Sequence, residues 1–153
     1  MTFFDIRPAI SADANQVGEI LSAFSDEYSW IPRVHSLMEF IEFAHDMIEC
    51  NWVMIGQING TVIGFSALHY QTIHSLYLHK SMRRQGIGSA FLKQMKNNNS
   101  RLIAWTFEAN QKATNFYLKN GFIEINRTNG ENNDEKLPDI QFEWREKFEN
   151  SMI

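Results

Sequence analysis

Ile73-His-Ser-Leu-Tyr-Leu-His79, Lys-Ser-Met, and then Arg83-Arg84-Gln85-Gly86-Ile87-Gly88 form the stretch around which the rest of the chain is ordered. Leu76 and Leu78 share one face of the first segment and Ser75 and Tyr77 the other, so 73–79 reads as a strand. From Gly86 to Lys96, Ile87, Phe91 and Met95 recur at helical spacing. A strand that passes through Gly-x-Gly straight into a helix gathers unpaired backbone N–H groups and the positive end of a helix dipole at one point, which suits phosphate. Gly86 and Gly88 let the backbone approach an anion, Arg83 and Arg84 offer charge-assisted hydrogen bonds, and Gln85 adds a neutral donor. By itself the loop supports an anion site and no more, because a tight turn with solvated arginines has the same sequence. A Rossmann dinucleotide site is disfavoured, since Phe91 occupies the third glycine position and the unit lies mid-chain. No Gly-Lys-Ser/Thr follows, so it is not a Walker P-loop.

Upstream, Thr2 to Ile10 mixes strand formers with Asp5 and Arg7 and meets Pro8, which suits a terminal or edge strand. Ser11 is placed to cap a helix carrying Ala14, Val17, Leu21, Phe24 and Tyr28 on one face. Ser36 and Glu39 form a capping box for a second helix, with Leu37, Phe40, Ile41, Ala44, Met47 and Ile48 as its apolar stripe. Cys50 closes that pattern and reads as a small hydrophobe. Trp52–Ile58 and Thr61–His69, joined by Asn59-Gly60, read as a hairpin. Downstream, Leu102–Thr106 is a short buried strand, Asn110 opens a helix that Asn120-Gly121 ends, and Phe122–Ile125 is a strand. Asn126 to Asp139 is polar and aperiodic, a mobile surface loop, and Ile140, Phe142 and Trp144 alternate in a last strand. This order implies an α/β chain, a mixed sheet with helices on both faces.

The length of 153 residues fits one domain, expected to span 1–153, and 44% hydrophobic with 21% charged residues is a globular composition. The formal net charge of −4 argues against a nucleic-acid partner. A single cysteine excludes an internal disulfide and fits a reducing compartment. With no basic–apolar leader and no long apolar run, a cytoplasmic protein without a membrane partner is expected.

The segment Asn110-Gln-Lys-Ala113-Thr-Asn-Phe116-Tyr117-Leu-Lys-Asn-Gly121-Phe122 adds a second pattern. Arg83-x-x-Gly86-x-Gly88 followed by Asn-x-x-Ala-x-x-Phe-Tyr-x-x-x-Gly-Phe resembles the GNAT superfamily of acyl-CoA-dependent N-acyltransferases. The likeness runs from Ile6-Arg7-Pro8-Ala9 through Phe122, and the closing Leu137-Pro138-Asp139 and Trp144 also look like small bacterial members. It implies a mostly antiparallel sheet of about seven strands whose central parallel pair splays apart.

The resemblance also implies site residues. Arg83, Arg84, Gln85, Gly86, Ile87, Gly88 and Ser89 would surround the pyrophosphate of acetyl-CoA, and the backbone of Leu76, Tyr77 and Leu78 would pair with the pantetheine arm as an added strand. Asn110 would bond the arm from the other side, and Tyr117 would be the general acid for the departing thiolate. A base near the fourth strand, present in some members, is replaced here by His74-Ser75-Leu76, which leaves Glu108 as first candidate and His74 as second. The acceptor pocket would draw on the first two helices, where Asp26, Glu27, Tyr28, Trp30 and His35 suit an amine through charge pairing and cation–π contact. The loop Glu131 to Asp139 is expected to cover the cleft. The implied activity is transfer of an acetyl group from acetyl-CoA, as co-substrate, to a primary amine of a small molecule or protein; the alternative is a non-catalytic acyl-CoA-binding module. No metal is expected, and a homodimer is left open.

Overall fold

The computed structural model describes residues 3–147. Strand β1 (Asp5–Pro8) ends at a proline that lacks an N–H, as an edge strand tolerates. Its expected start at Thr2 lies outside the described residues, and Phe3 and Phe4 precede the strand. Ser11 is not the helix cap. It begins a short 3₁₀ turn (Ser11–Asp13), and the Asp13 carboxylate instead accepts the Ile10 N–H at 2.8 Å. Arg7 grips the same carboxylate with both terminal nitrogens, at 2.8 and 2.9 Å, which fixes the angle between strand and helix.

Helix α1 (Ala14–Glu27) buries Ala14, Val17 and Ile20. A Cβ on Gly18 would fall 2.7 Å from the Ile41 Cα, so glycine is what lets helix α2 (Leu37–Glu49) lie so close. The Ser36–Glu39 capping box forms, with reciprocal bonds of 3.0 and 3.1 Å. The expected stripe on α2 is narrower than its sequence suggests: Ala44 and Ile48 are buried, whereas Leu37 is exposed at the first turn. Cys50 caps α2 and is exposed rather than packed.

The hairpin β2 (Val53–Ile58) and β3 (Thr61–His69) turns at Asn59 and Gly60, with φ of 49° and 80°, the left-handed pair that a two-residue hairpin needs. Strand β4 (Thr72–Leu78) continues the meander, then come helix α3 (Ile87–Asn98), β5 (Arg101–Phe107), helix α4 (Gln111–Lys119), β6 (Ile123–Thr128) and β7 (Asp139–Arg145). The seven strands lie in the order β1-β2-β3-β4-β5-β7-β6, and β4–β5 is the one parallel neighbour pair among the described strands. Helices cover both faces. One core layer, with Phe91, Leu92, Leu102, Phe122 and Phe142, lies under α3 and α4; the other, with Val17, Ile55, Phe65 and Ala67, lies under α1 and α2. Burying each large apolar side chain contributes about 1.5–3 kcal/mol.

The connection between β6 and β7 is folded, contrary to its reading as mobile. Asn133 donates to the Leu137 carbonyl at 2.7 Å and accepts the Leu137 N–H at 3.2 Å, closing the loop on one side chain. Among the described residues no helix is long and apolar enough to cross a membrane.

Candidate active site

The sheet forks at its centre. Strands β4 and β5 pair only at Thr72↔Ile103 and Ile73↔Ala104, although β4 runs on to Leu78 and β5 to Phe107. The cause is visible in the β3–β4 register: Ala67 faces Ser75, but Leu68 faces Ile73, so His74 is an extra residue. Such a bulge bends its strand and increases its twist. The outer partners hold on, with β3 following β4 to Leu78 and β7 following β5 to Phe107. Beyond His74 the inner edges of β4 and β5 therefore face each other without pairing, and a cleft of about 780 Å³ opens between them.

One end of the cleft is the loop before α3. Arg84 (φ 64°) and Gly86 (φ 79°) both take left-handed backbone, and Gly86 is the N-cap of α3. The first bond of the helix runs from the Ala90 N–H to the Gly86 carbonyl at 3.0 Å, which leaves the N–H groups of Ile87, Gly88 and Ser89 without intrahelical partners. These residues, with Arg84 and Gly86, line the cleft. The two glycines differ in purpose. A Cβ at Gly86 would meet open space, so its role is the backbone turn, whereas a Cβ at Gly88 would sit 3.1 Å from the Phe116 ring, so Gly88 also seats α3 against α4.

Arg83 does not offer its guanidinium freely to an anion. It donates to both carboxylate oxygens of Glu27, at 2.5 and 2.7 Å, and so ties the end of α1 to the loop. Glu27 is accordingly not a free carboxylate for an amine: the Arg83 hydrogen bonds hold its pKa below the usual carboxylate range against the opposing effect of burial.

The walls carry the other expected residues. Leu76 and Leu78 pack on the α3 side of the sheet and Tyr77 on the α1 side, as alternation requires, and all three line the cleft. Asn110 caps α4, its side-chain oxygen accepting the Ala113 N–H at 3.1 Å, and lines the cleft as well. Tyr117 is buried among Phe116, Phe122 and Phe142 and lines the same cleft. Burial, and then proximity to Tyr77, pushes the Tyr117 hydroxyl pKa up; burial, and then Glu135, pushes that of Tyr77 to about 12. Both hydroxyls stay protonated at neutral pH.

The proposed bases separate. Glu108 is not among the residues lining the cleft; it is half-exposed and accepts from Arg127 at 2.6 Å. His74, at the bulge, does line the cleft, stacked on Trp52 at 4.9 Å, and burial followed by the charge of His69 lowers its pKa, which favours the neutral ring.

On the α1 side, Tyr28 lines the cleft and stacks on Trp30 at 5.3 Å, and Trp30 meets Phe107 edge-on at 5.9 Å. His35 stands apart from the cleft. It contacts Asp134 at 3.0 Å and Glu39 at 3.6 Å, latching the β6–β7 loop to α2; burial alone would lower its pKa, but the two carboxylates outweigh it and raise it. Asp26 pairs with Arg33 at 2.7 Å.

Cleft residues without a role in the sequence reading include Phe24, Trp105 and Phe107, and Asp139 entered it only as the end of the loop expected to cover the cleft. Asp139 arrives through the register Phe107↔Asp139, which sets the start of β7 beside the end of β5. Asn133 and Thr128 donate to its carboxylate. It is the one carboxylate among the described cleft-lining residues. Thr106 also lines the cleft, 8% exposed, and its hydroxyl oxygen has no hydrogen-bond partner. An unsatisfied buried polar group costs about 1–3 kcal/mol.

Comparison with known proteins agrees with this architecture. Apo YjaB of Escherichia coli superposes with a TM-score of 0.79 at 16% identity, covering 95% of this chain and 100% of that one. YncA of Salmonella typhimurium, solved with its cofactor acetyl-CoA, gives 0.73 at 16% identity with 96% of each chain covered. An N-acetyltransferase from Staphylococcus aureus Mu50 gives 0.73 at 21%, covering 95% and 100%. At these identities the likeness establishes the fold. No curated protein matches the sequence. A family model described as an acetyltransferase (GNAT) domain matches residues 47–124, just over half of the chain, from the end of α2 to the start of β6 and thus across the fork, the loop and α4. The chain belongs to the GNAT acetyltransferases.

Proposed function

We propose that the protein transfers an acetyl group from acetyl-CoA to a primary amine by direct attack of the amine on the thioester. The observation that carries this reading is the fork: the unpaired inner edge of β4 leads directly to the partnerless N–H groups of Ile87, Gly88 and Ser89, with Tyr117 in the wall between. These residues fit the donor. A polyanionic pyrophosphate suits the N-terminus of α3, where Arg84 adds charge, and the backbone of Leu76–Leu78 offers the free edge an extended amide-bearing arm needs. Acetyl-CoA is held by YncA, and coenzyme A by an N-acetylglutamate synthase from Neisseria gonorrhoeae, 36% of whose chain this fold covers.

The thioester supplies the activated acyl group; the chain supplies position and proton handling. A C–N bond forms as the C–S bond breaks, the sulfur takes a proton from the Tyr117 hydroxyl, and the nitrogen loses one. Tyr117 is protonated at neutral pH and so has a proton to give, while its raised pKa makes full transfer to a free thiolate uphill, so the proton moves as the C–S bond breaks; holding amine and thioester in one cleft supplies most of the acceleration. A lysine-like ammonium needs about 4.6 kcal/mol to lose its proton at pH 7. Asp139 and the neutral His74 are the cleft-lining groups placed to receive it. On the α1 side, Phe24, Tyr28, Tyr77, Trp105 and Phe107 form an aromatic wall, so the acceptor is an amine carried on an apolar body, with Asp139 holding the ammonium.

The test is an amine panel read by thiol release from acetyl-CoA, run beside calorimetric binding of CoA. Acceptor-dependent release supports the proposal. CoA binding without release for any amine favours the non-catalytic binding module, and no CoA binding rejects both.

A further inference from the structure

We infer that Thr106 is a ligand-completed residue whose hydroxyl hydrogen-bonds the thioester end of acetyl-CoA; the inference rests on the acetyl-CoA reading above. Three buried side-chain atoms among the described residues lack a partner, on His35, Thr106 and Thr114, and of these residues Thr106 alone lines the cleft. It sits on β5 two residues past Ala104, the last residue paired with β4, and so at the crotch of the fork. By strand alternation it shares the face of Leu102 and Ala104, the face on which Tyr117 is buried. The phosphate-binding loop lies at the opposite end of β4, past Leu78. An arm that leaves the loop and runs back along β4 therefore brings its acyl end, and not its phosphates, to Thr106.

The chemistry of the residue agrees with the position. Packing alone is served as well by valine, which has the same shape, so the hydroxyl adds only a polar atom that the protein leaves unpaired. A threonine hydroxyl both donates and accepts, and one χ1 rotation exchanges it with the methyl group, so it can turn to whichever atom a ligand offers. At the thioester end two partners share that chemistry: the acyl carbonyl, which accepts, and the last amide of the arm.

Full-length wild type, Thr106→Val and Thr106→Ser are compared by calorimetric binding of CoA and of acetyl-CoA, with Tm measured without ligand. The ligand-free Thr106→Val protein is expected to melt no lower than wild type, because an unpaired buried hydroxyl has been removed. Its affinity is expected to fall about fivefold to tenfold, with Thr106→Ser retaining most of it. A loss for both ligands assigns the contact to the arm amide, and a loss for acetyl-CoA alone assigns it to the acyl carbonyl. Unchanged affinity for both overturns the inference while the acetyl-CoA reading stands, as does a lowered Tm, which reveals a structural partner for the hydroxyl. Wild type that binds neither ligand overturns both.

Discussion

Replacing Glu27 by glutamine separates two roles for the carboxylate, strut and substrate anchor. Its side chain is 11% exposed and that of Arg83 30%, with both guanidinium terminal nitrogens engaged. Exposed ion pairs contribute about 0–1 kcal/mol, and breaking a buried one costs about 3–5 kcal/mol. This pair lies between, and Arg83 retains some access to water, so Glu27→Gln is expected to cost about 2 kcal/mol. For a chain of this size that is a fall in Tm of about 4–8 °C. The pH dependence has a fixed sign. Arg83 depresses the folded pKa of Glu27, so its contribution is complete above the unfolded value of about 4.3 and is lost as pH falls through the lower folded value. The Tm gap between wild type and variant should thus hold at pH 6–8 and narrow only in acid. Because the strut fixes the loop that carries the N-terminus of α3, CoA affinity should fall while the KM for the amine does not. Thermal melts across pH, with steady-state kinetics at neutral pH, decide it. An unchanged Tm together with a raised amine KM would refute the strut and return Glu27 to the acceptor pocket.

Tyr117→Phe should lower kcat by about 10²-fold or more while CoA affinity, read by calorimetry, stays near wild type; equal turnover removes Tyr117 from the mechanism. Gly88→Val must push the Phe116 ring, so it should cost about 1–3 kcal/mol in denaturant melts as well as abolish CoA binding, and normal binding would remove the loop from the donor site. Asp139→Asn should raise the amine KM at least about tenfold and leave the KM for acetyl-CoA alone, in initial-rate measurements with each substrate varied; no change, or equal effects on both, would contradict the anchor.

What the sequence made legible was local. The Asn59-Gly60 turn, the Ser36–Glu39 box and the alternation of Leu76, Tyr77 and Leu78 each depend on near neighbours, and each appears as read. The turn before α3 was legible for the same reason, since a loop and the first turn of its helix are contiguous in the chain. The far end of the cleft was not. Asp139 reaches the site only through the register of β7 on β5, and Trp105 and Phe107 matter only because β4 turns away from them at a one-residue bulge. Glu108 stands outside the cleft lining for a related reason. Sequence proximity to Asn110 placed it near the site, but Arg127 of β6, an edge strand, holds its carboxylate off the cleft.

The proposed reaction asks an acidic protein to receive a polyanion and a cation in one cavity, and the charges that line the cleft fit both. The net charge of −4 describes the whole sequence, whereas Arg84, Lys112 and Lys119 line the cleft, together with an Arg83 already neutralised by Glu27. Local charges in a low-dielectric cleft set its field more than the distant surface does. Tyr77 and Tyr117 line the same cleft, and their raised pKa values keep them neutral. Asp139 is thus the one anionic side chain among the described cleft-lining residues, and under the proposed reaction it is the anchor for the ammonium. Under the proposed mechanism proton transfer is directional: the nitrogen sheds its proton toward Asp139 or His74, and the sulfur collects one from Tyr117. A base beside Tyr117 would compete for the proton that the sulfur needs, so distance between the acid and the proton acceptor is itself part of the proposed mechanism.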